Sequence, residues 1–426
     1  MGQITTLDSP INESLKLEIN ANSQVLNASA VTYSQKGKKI CNKFESDEQG
    51  FNNKGGLTGP YFSGILGNWR PYENWTFLSD RTPREMLDHN SLKAIRNTGL
   101  TTNFSPFWSF NSNSTEWTSN SAPWTLSNKV TMYDHRGNEV ENKDALGIYS
   151  AAIFDFENSL VTAVANNAQY REILYDSFEE DLFNPNCLFT ELLPRLDFKS
   201  YLSSQIAVTG TQAHTGKFAF EFKPSNQISY SIPLNEACVE SPPTSPLVSC
   251  EDCLPILTPY SGKEYAIAVW TASMSSLNEG IKPSGLDLKV VYLDKDNNDK
   301  ELSSQLLAPS GPVIEGWQQI EAKLDIPVDA SALKLEFANN STESVFIDDF
   351  RFHPWLSNMQ SYVYDPYSMR LMAQLDENNY ASFYEYNDEG LLIRTKRETE
   401  RGIVTIQEGR TILKPTNALG MKNAQD

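Results

Sequence analysis

The chain is poor in the residues that most often carry chemistry. It has four histidines, at 89, 135, 214 and 353, and none stands in an HExxH motif, a metal-ligand cluster or a recognisable triad. There is no GxSxG nucleophile elbow, no GxGxxG and no P-loop. Paired glycosidase carboxylates have no sequence signature, so 54 acidic residues leave that chemistry open; with no other catalytic pattern present, the expectation is a chain that is not an enzyme. Positive charge is scarce too. Thirty-five Lys and Arg against 54 Asp and Glu give a net charge of −19, with no basic run, which excludes a phosphate backbone as the natural partner. No stretch of 18 apolar residues exists, so no segment spans a bilayer as a helix.

The first ten residues carry neither the basic nor the apolar region of a secretory signal. Either the protein is cytosolic, or this is a piece of a longer secreted chain. High Asn and Ser content, 11% aromatics and acidic charge favour the second, with an extracellular or cell-surface location. Five cysteines, at 41, 187, 238, 250 and 253, leave at least one unpaired if the rest pair. Cys250 and Cys253 form a CxxC in a Pro-rich loop rather than a βαβ setting, which argues against redox catalysis. Loop-stapling disulfides, free thiols and half a metal site all remain open.

What is present is β-structure. The length of 426 residues implies two to four domains. We expect a weakly ordered or β-rich segment at 1–55, an aromatic-rich β region at 56–173, a β-sandwich at 174–356, and β-hairpins with a polar tail at 357–426. In the second of these, Trp69, Trp75, Phe77, Phe104, Phe107, Trp108, Phe110, Trp117 and Trp124 are interleaved with Asn and Ser. Indole faces stack on sugar C–H groups and amides bind hydroxyls, but the same rings also suit the core of a loop-rich domain.

Two stretches share a hairpin grammar. Residues 129–147 run from an alternating strand through Gly137 into a second strand, and 362–394 repeat the pattern with turns at Asp-Glu-Asn-Asn and Asn-Asp-Glu-Gly. The pairs Tyr133-Asp134 and Tyr364-Asp365, the variant Tyr386-Asn387, and the turn glycines Gly137 and Gly390 resemble the YD or RHS-type repeats of large bacterial surface and toxin-carrier proteins. That resemblance implies a spliced position within a longer β-structure.

Between them, short runs rich in β-branched and aromatic residues are punctuated by Gly, Pro, Asn or Asp about every ten positions, as an antiparallel sandwich requires. In order come Ser177-Phe-Glu-Glu180, Ala213–Phe222, Tyr260–Trp270, Gly316–Ile320 and Val345–Arg351. These landmarks resemble carbohydrate-binding modules of families 4, 9 and 22, which are jelly rolls. The resemblance implies an all-β jelly roll with flanking hairpins, and a structural Ca²⁺ tying the first strand to the last. Matched by position, its ligands are Glu179, Asp348 and Asp349, with carbonyls of the 214–217 loop; the alternative is that these acids cap strands or pair with Lys217 and Arg351. Asp294–Gln305 imitates an EF-hand loop but has Asp299 where Gly belongs and Gln305 where Glu belongs, and so reads as a hairpin tip.

An exposed aromatic would carry any ligand of the sandwich. Trp270 is the first candidate and Tyr292 the second, whereas Phe218, Phe220 and Phe222 share one strand face and read as core. Two functions remain: a non-catalytic adhesion module binding a polysaccharide or surface glycan, or a structural spacer held between neighbouring modules of an adhesin or toxin carrier. Exposed coplanar aromatics favour the first, and a polar surface with its aromatics buried favours the second.

Overall fold

The computed structural model describes residues 27–34, 69–78, 104–111, 116–134, 136–156, 158–180, 206–235, 257–294 and 300–409, with a few shorter stretches between them, Phe198 included. Cys41, Cys187, Cys238, Cys250, His89, His135 and the tail beyond 409 lie outside these residues. Two compact units form. The first comprises residues up to 159 with 164–173 and 233–260, and the second 160–163, 174–232 and 261 onward.

In the first unit the strands are β1 (Asn27–Ser34), β2 (Arg70–Leu78), β3 (Trp108–Asn111), β4 (Glu116–Ser119), β5 (Thr125–Tyr133), β6 (Glu139–Asp144) and β7 (Tyr149–Asp155). β1-β2-β5-β6-β7 make an antiparallel sheet, and β3 with β4 forms a separate two-stranded ribbon. Phe77, Phe107 and Trp124 are buried together, with Phe104 and Trp75 packed on them. Each such burial contributes roughly 1.5–3 kcal/mol.

The second unit continues with β8 (Leu174–Asp176), β9 (Ile206–Thr209), β10 (Ala219–Phe222), β11 (Gln227–Pro233), β12 (Glu264–Ser273), the short helix α1 (Met274–Glu279) and β13 (Leu286–Asp294). Then come β14 (Glu301–Leu307), β15 (Ser310–Ile314), β16 (Trp317–Asp325), β17 (Ala330–Asn339) and β18 (Val345–Pro354). One sheet runs β9-β10-β18-β12-β16-β15, with β8 also on β18; the other runs β11-β17-β13-β14. Between them Phe198, Phe220, Phe222, Phe337 and Phe350 interlock at ring separations of 5.1–6.3 Å. The all-β antiparallel sandwich of the sequence reading is the fold; of the three phenylalanines read as core, Phe220 and Phe222 are fully buried, while Phe218 precedes the strand Ala219–Phe222 and is only half-buried.

Five further strands form an antiparallel meander in the same unit: β19 (Asn358–Tyr364), β20 (Leu371–Leu375), β21 (Ala381–Tyr386), β22 (Leu392–Thr399) and β23 (Gly402–Glu408). Four hairpin turns, two in each unit, are built alike. In each, an Asx residue (Asp134, Asp144, Asp376 or Asn387) exchanges backbone bonds with the residues three and four positions on. Its Oδ1 accepts the N–H of the latter. The residue three on is Gly137, Gly147, Asn379 or Gly390, each at positive φ, the geometry of a three-residue hairpin closed by a left-handed residue.

Two of these turns share a clasp. Arg70 lies over the Tyr133 ring and against Gly137, while Tyr133 Oη donates to Pro71 O. In the second unit Arg370 lies over Tyr386 and against Gly390, while Tyr386 Oη donates to Leu371 O. The hairpins read from sequence are therefore present, and the Tyr-Asx-x-x-Gly spacing has a physical reason: a side chain at the glycine would meet the guanidinium.

Candidate functional site

The densest set of buried polar groups lies in the second unit, where the β10–β12–β18 sheet meets the meander. It starts from a bulge. Along β18 the register with β12 shifts by one residue between Ala268 and Trp270, opposite Asp349, which sits at φ 50°. A bulge re-aims the strand, so Asp348 and Asp349, adjacent in sequence, both reach the same loop instead of opposite faces. Asp348 Oδ2 accepts the N–H groups of His214 and Thr215. Asp349 accepts from Tyr175 Oη at 2.8 Å, from Thr215 Oγ1, and from His214 Nδ1 at 2.7 Å.

His214 is the centre. Its ring stacks on Trp270 at 4.1 Å and 17°, and its second nitrogen meets Glu398 Oε1 of β22 at 2.9 Å. The other oxygen of Glu398 accepts from the Ala381 N–H. Burial works to lower the His214 pKa, but the Glu398 and Asp349 carboxylates outweigh it and push it up to about 10. At neutral pH the ring is an imidazolium donating from both nitrogens. Burial, then the neighbouring Asp349 charge, holds Asp348 well above the usual carboxylate range.

Arg351 is also buried; Nη1 donates to Asp376 O at 2.7 Å, and Nε and Nη2 find no partner among the described residues. Burial lowers its pKa to about 10.

The predicted ligand residues are not on the surface. Trp270 is 0% exposed: one face carries His214, Tyr380 meets it edge-on at 5.9 Å, and its indole N–H donates to Asn379 O at 2.9 Å. With Ala219, Ala272, Ile314, Trp317 and Phe346 it forms a cluster on which Tyr380 and Ile403 of the meander region pack. Tyr292 is 4% exposed because it continues the inward row Leu288 and Val290 on β13. Neither ring offers a stacking platform. The outer face of the four-stranded sheet carries the ion pairs Lys289–Glu301 and Lys334–Glu336, with Leu306 exposed beside Lys289 on the edge strand. Among the described residues of this unit, the exposed large aromatics are Trp355 and Tyr367, each beneath a lysine ammonium.

Of the three expected Ca²⁺ ligands, Asp349 is committed to His214, Tyr175 and Thr215. Glu179 differs. Its Oε1 accepts the Lys217 and Phe218 N–H groups, while Oε2 is buried and has no partner among the described residues, and burial pushes its pKa up to about 8. Lys217 itself pairs with Asp365 at 2.9 Å, so its contact with Glu179 is through backbone, not charge. Among the described residues no group of three or more His, Cys, Asp or Glu is arranged to hold a metal ion. Asp294, ending β13, and Lys300, just before β14, are paired; residues 295–299 of the acidic run lie outside the described residues.

Sequence reasoning missed His214 and Glu398 as partners. They lie 184 residues apart, and no local spacing announces the pair.

No family model and no curated protein matches the chain. Solved structures with local likeness include the Clostridium thermocellum xylanase 10B CBM22-1–GH10 modules with xylohexaose (16% identity, TM-score 0.24, 35% of this chain and 24% of that one). Others are the Paenibacillus barcinonensis CBM22-1 xylan-binding domain (15%, 0.23, 35% and 80%) and TmCBM61 with β-1,4-galactotriose (16%, 0.21, 35% and 82%). TM-scores this far below 0.5 carry no inference about ligands here.

Proposed function

We propose that this chain is a non-catalytic structural module of a large extracellular surface protein, in which the jelly roll serves as a joint to a YD-type hairpin array. One observation carries the reading: the sheet face bearing Trp270 is covered by the chain's own hairpins, with the Trp270–Asn379 bond, the Trp270–Tyr380 contact and the His214–Glu398 pair crossing between them. A receptor sheet leaves its aromatics in solvent; here they are interior. Acidic charge and Asn/Ser richness support an extracellular placement, and no helix among the described residues is long and apolar enough to cross a membrane.

Calorimetry of the full chain beside a chain ending at residue 356 tests this. The shortened chain loses cooperative melting of the sandwich, because Trp270 loses Asn379 and Tyr380, His214 loses Glu398, and Arg351 loses Asp376. A sandwich transition within about 2 °C of the full chain would sink the proposal.

A structural Ca²⁺ belongs to the same proposal. Among the described residues, Glu179 Oε2 is the buried carboxylate oxygen of the predicted set that lacks a partner, and Asp348 with carbonyls of the 214–217 loop supplies further hard oxygens. Bound there, the cation would compensate charge and tie the entry of the sandwich to its last strand. Chelation should lower the melting temperature of the wild type and leave Glu179→Gln unmoved; equal curves for the wild type with and without chelator remove the ion from the account.

The glycan-binding alternative draws support from a different place, the exposed ring pair of the first unit.

A further inference from the structure

The aromatic-rich segment of the first unit divides into two populations. Phe77, Phe104, Phe107 and Trp124 contact one another at 5.2–6.1 Å and form the core. Phe110 and Trp117 do not join it. They are 41% and 46% exposed, sit directly opposite each other on the β3–β4 ribbon, and meet at 5.3 Å. Trp108, two residues before Phe110, shares their face by the strand period and anchors the ribbon edge-on against Phe107 at 5.2 Å. The opposite face carries Ser109 and Thr118, whose hydroxyls pair at 3.0 Å.

A two-stranded ribbon is marginal in water, and a cross-strand ring pair helps hold it. A β-branched pair would do that without exposing two rings. Paired rings left in solvent on a ribbon that makes no other strand contact among the described residues are an apolar surface in need of a partner.

Charge selects the partner. Across residues 104–124 the only ionisable side chain belongs to Glu116, in a chain of net charge −19. The ribbon has no cation for an anionic polymer, the rest of the molecule repels one, and rings interleaved with Ser, Thr and Asn match a ligand with apolar C–H faces and neutral hydroxyls.

We propose that the β3–β4 ribbon is a stacking platform for a neutral glycan, with Phe110 and Trp117 as its exposed rings. This goes beyond the structural role assigned to the second unit and is independent of it: the calorimetric test can fail while this one succeeds.

The test uses the full chain on an array of neutral glucan, xylan, mannan, galactan and chitin oligosaccharides, with titration calorimetry of any hit. Trp117→Ala and Phe110→Ala each weaken binding about tenfold or more, Trp117→Tyr restores part of it, and Trp355→Ala leaves it unchanged. Affinity is the same at low and high salt, since no ion pair is involved. Because Phe110 and Trp117 are not among the rings packed on the core, the variants keep the wild-type melting temperature of the unit even where they loosen the ribbon. A blank array from folded protein, hits that survive both ribbon substitutions, or binding that disappears with salt would each overturn the proposal.

Discussion

Glu398→Ala removes one of the two carboxylates that clasp His214. The imidazolium then keeps Asp349 but faces an emptied, water-poor pocket, since His214, Asp349 and Glu398 are all buried. Removing one member of a buried pair costs about 3–5 kcal/mol; with Asp349 still balancing the imidazolium, the loss here is that of the second ion pair and of the acceptor for the buried Nε2–H. The loss of the Ala381 N–H acceptor adds to it. For a unit of this size, each kcal/mol moves the melting temperature by roughly 2–4 °C, so the transition should fall by roughly 6–20 °C. Calorimetry measures it, and tryptophan fluorescence follows the same event locally because Trp270 lies on the His214 ring.

The companion variants separate charge from packing. With His214→Ala, the double variant should cost less than the sum of the two single ones by about 1–3 kcal/mol. The sign with pH follows from the raised folded value. His214 contributes fully below its ordinary 6.5 and loses that contribution as pH rises through about 10. In calcium-free buffer the Glu398→Ala penalty should therefore shrink on the alkaline side. A Glu398→Ala protein within about 0.5 kcal/mol of wild type, or strict additivity in the double variant, would refute the buried clasp.

Other outcomes follow from single residues. His353 is buried and its pKa is pushed down to about 4, so its contribution is intact above 6.5 and lost as pH falls through 4. That displacement corresponds to roughly 3 kcal/mol, and His353→Asn should flatten the acid limb of a stability profile between those values; an unchanged limb contradicts it. Gly316→Ala places a Cβ 2.5 Å from the backbone oxygen of Ser276, whereas Gly390→Ala meets the end of the Arg370 side chain. Both carry positive φ, but a backbone carbonyl cannot swing aside, so chemical denaturation should show about 3 kcal/mol or more for the first and about 1–2 kcal/mol for the second. Equal costs would mean the α1 backbone yields. Arg370→Ala should destabilise the β21–β22 hairpin by about 1 kcal/mol, read as faster amide exchange at Asn387–Leu391.

How much of this could be read beforehand depends on the range over which each feature is encoded. The Asx-x-x-Gly turns were legible because their chemistry spans five residues: Asn387 caps its own turn, and Gly390 alone tolerates both its φ and the guanidinium beside it. The sandwich was legible from alternation, and Phe220 and Phe222 fell inward as the period requires, whereas Phe218 lies before the strand begins and escapes the period. The rings of 104–124 were not sortable, because Phe107 and Phe110 have the same local chemistry and differ only in whether Phe77 and Trp124 stand opposite. Trp270 was misread for the same reason. Its strand registers with β16 and β18, and nothing local to either strand announces that Asn379 and Tyr380 will close over the indole from a hairpin a hundred residues away. The pair Asp348-Asp349, read from the sequence as sharing one site with the 214–217 loop, is more instructive. A strict two-residue period sends one of these carboxylates into the core and the other out, and so forbids a shared site. One left-handed residue cancels a step of that period, and Asp accepts φ 50° more readily than its β-branched and aromatic neighbours. From Asp349 onward every side chain exchanges faces, so Phe350 and Phe352 join the core while Arg351 joins Asp348 and Asp349 outside it. The repeated acid at 348 and 349 is thus the mark of the bulge, and the bulge is what brings both carboxylates to the His214 loop.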